Sequence, residues 1–135
     1  MTRLLVSLTL LLLSDVCAQS VQGVTWTLTR IGNLSEPKST VEVEREDPPT
    51  LRLENGRASG FAGCNSFTST YTMHGRDLSI AALATTKKAC ESSVRTILES
   101  RFLRDLQRVN TATISGSVLV LTTDDGTILA FRRAP

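Results

Sequence analysis

Cys64 and Cys90 are the side chains of this 135-residue chain whose chemistry the sequence constrains most closely. In an oxidising compartment, two thiols of one small domain most simply form a disulfide. Such a bridge would stabilise the domain by about 3–4 kcal/mol on the chain-entropy model. Two alternatives stay open: a buried pair of free thiols, or a reactive thiol whose pKa is lowered by the neighbouring Lys87 and Lys88. The sequence contains no Cys-x-x-Cys redox spacing.

The segments around the two cysteines also offer a candidate binding surface. Gly63 and Asn65 flank the first cysteine, and Thr85, Thr86 and Lys87 lie shortly before the second. Glycine allows the backbone to approach a ligand closely. The same residues also suit a bend in which the asparagine bonds to nearby backbone groups. The bend is the simpler interpretation, and a binding surface formed by these five residues is the functional hypothesis.

The other reactive side chains do not form a catalytic or metal-binding pattern. His74, the single histidine, lies in a His-Gly turn, and no metal-ligand spacing surrounds it. The sequence has no Gly-x-Ser-x-Gly elbow and no Gly-rich phosphate loop. We therefore predict a non-enzymatic protein with no catalytic residue, no metal and no cofactor. A hydrolase or thiol-dependent enzyme is the less favoured class.

The N-terminus has the order of features of a secretory signal peptide. Arg3 is followed by the apolar run 4–13, which is too short to span a bilayer, since a span takes about 20 residues. Small side chains then precede a cleavage position between Ala18 and Gln19. Cys17 fits a lipid-attachment motif poorly, so lipoprotein anchoring is not predicted. We expect a cleaved signal peptide at 1–18 and a periplasmic or secreted product.

Residues 19–135 have the length and composition of one domain. The net charge is +2, and no run of like charges is present. This balance predicts no nucleic-acid partner. No segment after Ala18 is apolar enough for a transmembrane helix, and we expect a monomer.

Turn signals between strand-like runs recur along the domain. Asn55–Gly56 is the strongest of them, because a tight hairpin needs positive φ at both central residues. His74–Gly75, Ser115–Gly116 and Asp125–Gly126 separate further runs that have strand-like composition. The sequence therefore predicts a meander of antiparallel hairpins.

One segment has helical periodicity instead. Ser92–Ser93 can supply its N-cap. Arg95 with Glu99, and Arg101 with Asp105, are spaced for ion pairs on its outer surface. The apolar residues repeat on one predicted helix face: Val94, Ile97, Leu98, Phe102, Leu106 and Val109. We thus predict an α+β fold, in which a mainly antiparallel sheet of seven to eight short strands packs against one principal helix.

With these motifs in order, the chain resembles the META (heat-shock protein HslJ-like) domain family over nearly all of residues 19–135. The Gly-Cys-Asn block and the downstream Thr…Ala-Cys block are specific when they occur together at this separation. The resemblance rests on Trp26, Leu28, the run 49–51, Gly60, the run 63–67, Tyr71, Leu83, Thr85–Thr86, Ala89–Cys90, Glu99, Phe102, Leu106, Gly116, Leu119 and Leu121.

The resemblance implies a small α+β domain of the bacterial envelope, linked with heat shock and antibiotic tolerance, and no established enzymatic activity. We expect an exported stress-related protein that binds an envelope protein or a small apolar ligand. The alternative is a pilot-like chaperone that holds an outer-membrane component in an apolar groove, as implied by the family's likeness to secretin pilot proteins.

Overall fold

The computed structural model describes residues 20–135, which form ten strands, one α-helix and a 3-10 turn at Pro37–Ser39. The predicted signal peptide, its cleavage position and Cys17 lie outside the described residues. The strands and the helix are β1 (Thr25–Asn33), β2 (Val41–Glu42), β3 (Thr50–Glu54), β4 (Arg57–Phe61), β5 (Ser66–His74), β6 (Asp77–Ile80), β7 (Ala84–Thr85), α1 (Ser93–Leu106), β8 (Val109–Ser115), β9 (Val118–Thr123) and β10 (Thr127–Arg133).

The sheet closes on itself as an eight-stranded antiparallel barrel. Its ring runs β1, β10, β9, β8, β6, β5, β4, β3 and back to β1. The two-residue strands β2 and β7 attach to β1 and β5 outside this ring. The closing pair, β1 with β10, extends from Trp26 opposite Arg133 to Asn33 opposite Thr127.

The predicted fold class is therefore wrong in its architecture. The domain is mostly β and closes into a barrel, whereas the sequence predicted an α+β fold in which a meander sheet packs against one principal helix. The hairpins themselves are present, and Asn55 and Gly56 have the positive φ values of 51° and 76° that their turn needs. The turn signals describe neighbouring strands only. They carry no information about the pairing of β1 with β10, which joins opposite ends of the domain.

A β-bulge in β1 sets which residues face the barrel interior. The register against β10 shifts between Leu28 and Arg30, so Thr29 is the extra residue. Trp26 and Leu28 point inward before the bulge, and Ile31 points inward after it. Without the bulge, strict alternation would turn Arg30 inward and Ile31 outward. The bulge therefore keeps the buried face of this long strand apolar.

Helix α1 crosses the end of the barrel that carries the β2–β3, β4–β5 and β9–β10 connections. The strand registers place these connections at one end, because β1 finishes there and β10 starts there. Phe102 enters the core and contacts the Phe67 and Phe131 rings edge-on, with centroid distances of 5.9 and 6.3 Å. The helix thus closes the barrel with an aromatic side chain.

The predicted helix is present, but its predicted buried face is only half right. Ser92 caps it, accepting a hydrogen bond from the Arg95 N–H at 3.2 Å. Phe102 and Leu106 are buried as expected, while Val94 and Ile97 are 70% and 67% exposed. The positions buried instead include two carboxylates, Glu99 and Asp105. Within residues 20–135, no helix is both long and apolar enough to cross a bilayer.

Replacing Phe102 by alanine should lower the free energy of unfolding by about 3–5 kcal/mol, because it leaves a cavity between two aromatic rings. Ile97→Ala is the matched control: it truncates an exposed side chain of the same helix and should change stability by no more than about 0.5 kcal/mol. Urea unfolding followed by circular dichroism measures both. Equal losses for the two variants would contradict this placement of the helix.

Candidate functional site

A disulfide joins the helix approach to the barrel. Cys64 lies in the β4–β5 connection and Cys90 lies shortly before α1, and their Cα atoms are 5.5 Å apart. Cys64 is buried and Cys90 is half-buried. The bridge therefore fixes the β4–β5 connection against the segment that leads into the helix.

Glu99 forms the second connection between the helix and the same turn. Its Oε2 accepts hydrogen bonds from the backbone N–H groups of Cys64 and Asn65 at 2.8 and 2.6 Å. Its Oε1 accepts a further bond from Asn65 Nδ2 at 2.6 Å. Gly63 precedes these donors with φ at 122°, a conformation open to glycine, and its position is close to the Glu99 Cβ. One buried carboxylate thus organises the turn.

These contacts keep Glu99 ionised. Burial by itself raises the pKa of a carboxyl group. The hydrogen bonds from the Asn65 side chain, the Asn65 N–H and the Cys64 N–H oppose this effect, and so does the charge of Lys88. The balance lowers the pKa of Glu99 below its ordinary value of 4.5.

Asn65 is the centre of the hydrogen-bond network that surrounds the disulfide. Its Nδ2 donates to Glu99, to the Lys88 carbonyl at 3.1 Å and to Cys64 Sγ at 3.2 Å. Its Oδ1 accepts from the Lys88 N–H at 2.8 Å and from Thr86 Oγ1 at 3.0 Å. The side chain is buried, and both of its polar atoms are occupied by protein groups.

The structure brings the five residues of the predicted binding surface together, but it does not expose all of them. Gly63 and Asn65 are buried, and Thr85 pairs with β5 through β7. Thr86 Oγ1 accepts from the Ser66 N–H, whereas Lys87 is exposed. The geometry of this cluster suits the bend that the sequence allowed as the structural interpretation. That these residues bind a ligand stays a prediction.

Sequence reasoning missed Glu99 as a site residue and misjudged Arg95. The two were expected to form an ion pair on the outer surface. Instead, Glu99 accepts hydrogen bonds from the β4–β5 connection, and Arg95 binds backbone carbonyls. Arg95 donates to the carbonyls of Gly63, Asp47 and Glu46 at 2.9, 3.0 and 2.7 Å. The helical spacing of Glu99 with Phe102 and Leu106 was the available signal, since all three share one face.

The sulfurs of Cys64 and Cys90 and a carboxylate oxygen of Glu99 lie within 4.8 Å of one another. Thiolates and a carboxylate are a set of zinc ligands. Here the two sulfurs are bonded to each other, and the carboxylate accepts three hydrogen bonds. In this state the cluster is a structural joint and does not offer ligands to a metal.

An apolar groove runs beside this joint, between α1 and the segment that contains β2. It has a volume of about 360 Å³. Val94, Ile97 and Leu98 form the helix wall, and Val41 and Val43 form the opposite wall. Two of these side chains, Val94 and Ile97, are the exposed apolar residues of the helix. We call this space, between residues 41–48 and 94–101, the apolar groove.

Acidic residues border the apolar groove on its β2 side: Glu42, Glu44, Glu46 and Asp47. Among the described residues, none of the four forms an ion pair. The two arginines on the helix side are already engaged, Arg95 with backbone carbonyls and Arg101 with Asp105 and the Ser39 carbonyl. The groove is therefore apolar at its walls and negative at one rim.

Comparisons with known proteins agree with this fold. The family model described as META domain matches residues 19–135. A protein from Burkholderia xenovorans, solved by NMR, has 25% identity and a TM-score of 0.71, over 84% of this chain and 83% of that one. A DUF4847 family protein from Bacteroides vulgatus has 13% identity and a TM-score of 0.56, over 80% of this chain and 90% of that one, and shows the fold alone. No curated protein matches the chain.

Glu99→Gln should lower the free energy of unfolding at pH 7 by about 2 kcal/mol, because a neutral amide accepts the turn hydrogen bonds less well. Since the folded pKa is below 4.5, the stabilisation by Glu99 is complete above that pH and is lost as the pH falls through the folded value. Urea midpoints from pH 7 to 3 should fall more steeply for the wild type than for Glu99→Gln. The control is Glu36→Gln, which changes an exposed carboxylate and should keep the wild-type pH slope. A wild-type slope for Glu99→Gln would contradict the assigned role of Glu99.

Replacing Cys64 and Cys90 by serine should lower the free energy of unfolding by about 3–4 kcal/mol, because the unfolded chain loses the constraint of the disulfide. Reducing the wild-type protein with dithiothreitol should lower its urea midpoint in the same way, and it should leave the double variant unchanged. A thiol titration of the native protein that detects two reactive sulfhydryls would refute the bridge.

Proposed function

The chain belongs to the META domain family, and we propose that it is an exported, non-enzymatic protein of the cell envelope that binds a partner protein in the apolar groove. The occupant is a segment of the partner with apolar side chains flanked by lysine or arginine. The observation that carries this proposal is the pair of exposed apolar side chains on α1, which face a groove of ligand-binding size.

The exposure of Val94 and Ile97 is what makes the groove a candidate docking site. A helix that covers the end of a barrel normally turns its apolar side chains toward the core. Here Glu99 and Asp105 take buried positions, and the apolar pair remains outside at 70% and 67% exposure. Adjacent exposed apolar side chains at the wall of a concavity are typical of interaction surfaces. A partner side chain placed there would bury both of them.

The charge at the rim selects the kind of partner. Four carboxylates border one side of the groove without an ion pair among the described residues, and both nearby arginines have partners of their own. A basic segment gains charge-assisted contacts at this rim, and an acidic segment or a fatty-acid carboxylate is repelled. The charge therefore favours a cationic peptide over a small apolar ligand.

Export and the absence of enzymatic activity are supported by separate features. The order of charge, apolar run and small residues at 1–18 is that of a secretory signal. A disulfide in a small domain suits an oxidising compartment. The same bridge occupies both cysteines of residues 19–135, so a thiol enzyme would first need it to be reduced.

The second candidate function, a pilot-like chaperone for an outer-membrane component, would use the same groove. The distinction lies in the partner: a pilot-like chaperone holds an outer-membrane component. A partner that is not an outer-membrane component would favour the general binding function.

Ile97→Ser should weaken peptide binding by tenfold or more, because it replaces an exposed apolar side chain of the groove by a polar one. The probe is a fluorescent synthetic peptide of alternating leucine and lysine, titrated by anisotropy at low and high salt. Leu34→Ser is the matched control, since Leu34 is 66% exposed and lies outside the groove. Glu44→Lys should weaken binding and reduce its salt dependence.

Two further probes, an acidic peptide and a fatty acid, can contradict the proposal. A peptide of alternating leucine and glutamate should bind at least tenfold more weakly than the lysine peptide. Equal binding of both peptides, or saturable binding of lauric acid alone, would contradict the assignment of a basic partner segment. If Ile97→Ser and Leu34→Ser bind the lysine peptide equally well, the peptide does not bind in the apolar groove.

A further inference from the structure

A second groove lies on the outside of the barrel and adjoins the apolar groove at Glu42 and Val43, which line both. Its volume is about 720 Å³. Its walls are β1, β10 and the segment after β2. Arg30, Arg45 and Arg132 are exposed along it, and among the described residues Glu42 is the one acidic side chain that lines it. We call it the arginine groove.

The β1 bulge directs Arg30 into this groove. Arg30 follows the extra residue Thr29, so its side chain lies on the outer face, where strict alternation would have turned it into the core. Arg132 lies on the neighbouring strand opposite Thr27 and is exposed on the same face. Arg30 is opposite Ala130, two residues from Arg132 along β10, so the two arginines are diagonal neighbours about 7–8 Å apart, and two side chains of this length can reach one sugar-sized ligand.

Within the part of the chain that the structure describes, none of the three arginines lies within ion-pair distance of a carboxylate, and Glu42 is the cross-strand neighbour of Arg30. The ion pairs there involve Arg52, Arg101, Arg104 and Arg108 instead. Arg133, at the end of the groove, has its guanidinium over the Trp26 ring at 5.2 Å. The arginines of α1 are thus engaged with carbonyls or with Asp105, whereas the arginines of the groove keep their donors available to a ligand.

The donors in the groove define the class of ligand. Guanidinium groups bind phosphate oxygens through paired N–H bonds, which a lysine ammonium cannot reproduce. Arg30 and Arg132 lie on strands of the barrel and Arg45 lies on the segment after β2, so two walls of the groove supply guanidinium donors to an anion. The groove is larger than a single phosphate needs and is within the size range of small-molecule sites. The hydroxyl of Thr27 adds a neutral donor or acceptor.

We propose that the arginine groove binds a sugar-sized ligand that carries two phosphate groups, held by Arg30 and Arg132 on one side and by Arg45 on the other. The ligand is either a soluble sugar bisphosphate or the same chemistry presented as a lipid headgroup. This site is separate from the peptide site in the apolar groove, and either can exist without the other.

Calorimetric titration with fructose bisphosphate tests the soluble form. Arg30→Gln and Arg132→Gln should each weaken binding by tenfold or more, and Arg30→Lys should restore only part of the loss because it keeps the charge without the paired donors. Arg57→Gln is the matched control, since Arg57 is exposed on β4 and does not line the groove. Urea midpoints of all variants establish that they are folded.

Co-sedimentation with phosphatidylcholine vesicles, with and without phosphatidylinositol bisphosphate, tests the lipid-borne form. Binding in either assay that Arg30→Gln and Arg132→Gln abolish supports the proposal and identifies the source. The proposal is overturned if neither probe binds, or if Arg57→Gln weakens binding as much as Arg30→Gln does. It is also overturned if a single-stranded oligonucleotide competes equally at the same phosphate concentration, because the groove would then be a general polyanion surface.

Discussion

The contact on which this domain depends is the carboxylate of Glu99 beneath the Cys64–Asn65 turn. A charge in a buried position is unfavourable unless several donors replace water. The turn supplies three N–H groups, and the glycine before it permits the necessary backbone conformation. The disulfide holds the same turn to the approach of the helix. Together the two connections orient α1 over the barrel end, and this orientation decides which helix face remains exposed.

The local parts of the fold were readable from the sequence, and its closure was not. Asn55–Gly56 specifies a hairpin because its own residues adopt positive φ. The β1–β10 pair that closes the barrel joins segments far apart in the chain, as in the bond from Thr29 Oγ1 to the Ala130 carbonyl. No residue pattern within β1 or β10 specifies which strand it pairs with. The bulge at Thr29 was likewise hidden, because it is visible only as a shift of register between two strands.

The site was predicted in part for a related reason. The Cys64–Cys90 bridge was one of three alternatives that the sequence left open, and in the structure Asn65 contacts the segment before the second cysteine. Glu99 was assigned to the outer surface because periodicity gave the apolar residues priority over a carboxylate. In the structure the N–H groups of the turn are satisfied by the buried Glu99 carboxylate, and Val94 and Ile97 stay exposed. Electrostatic satisfaction of backbone groups thus overrode the hydrophobic pattern along the first half of the helix.

The segment after β2 separates two grooves of opposite character. It continues past the two-residue strand without joining the barrel ring, so it forms a wall with two accessible sides. Glu44 and Glu46 line the apolar groove only, whereas Arg45 lines the arginine groove only. Successive side chains of this segment line different grooves, so alternating charges in one short segment produce two different surfaces. The domain therefore presents two grooves of different chemical character, because both are bounded by one segment that leaves the sheet after β2.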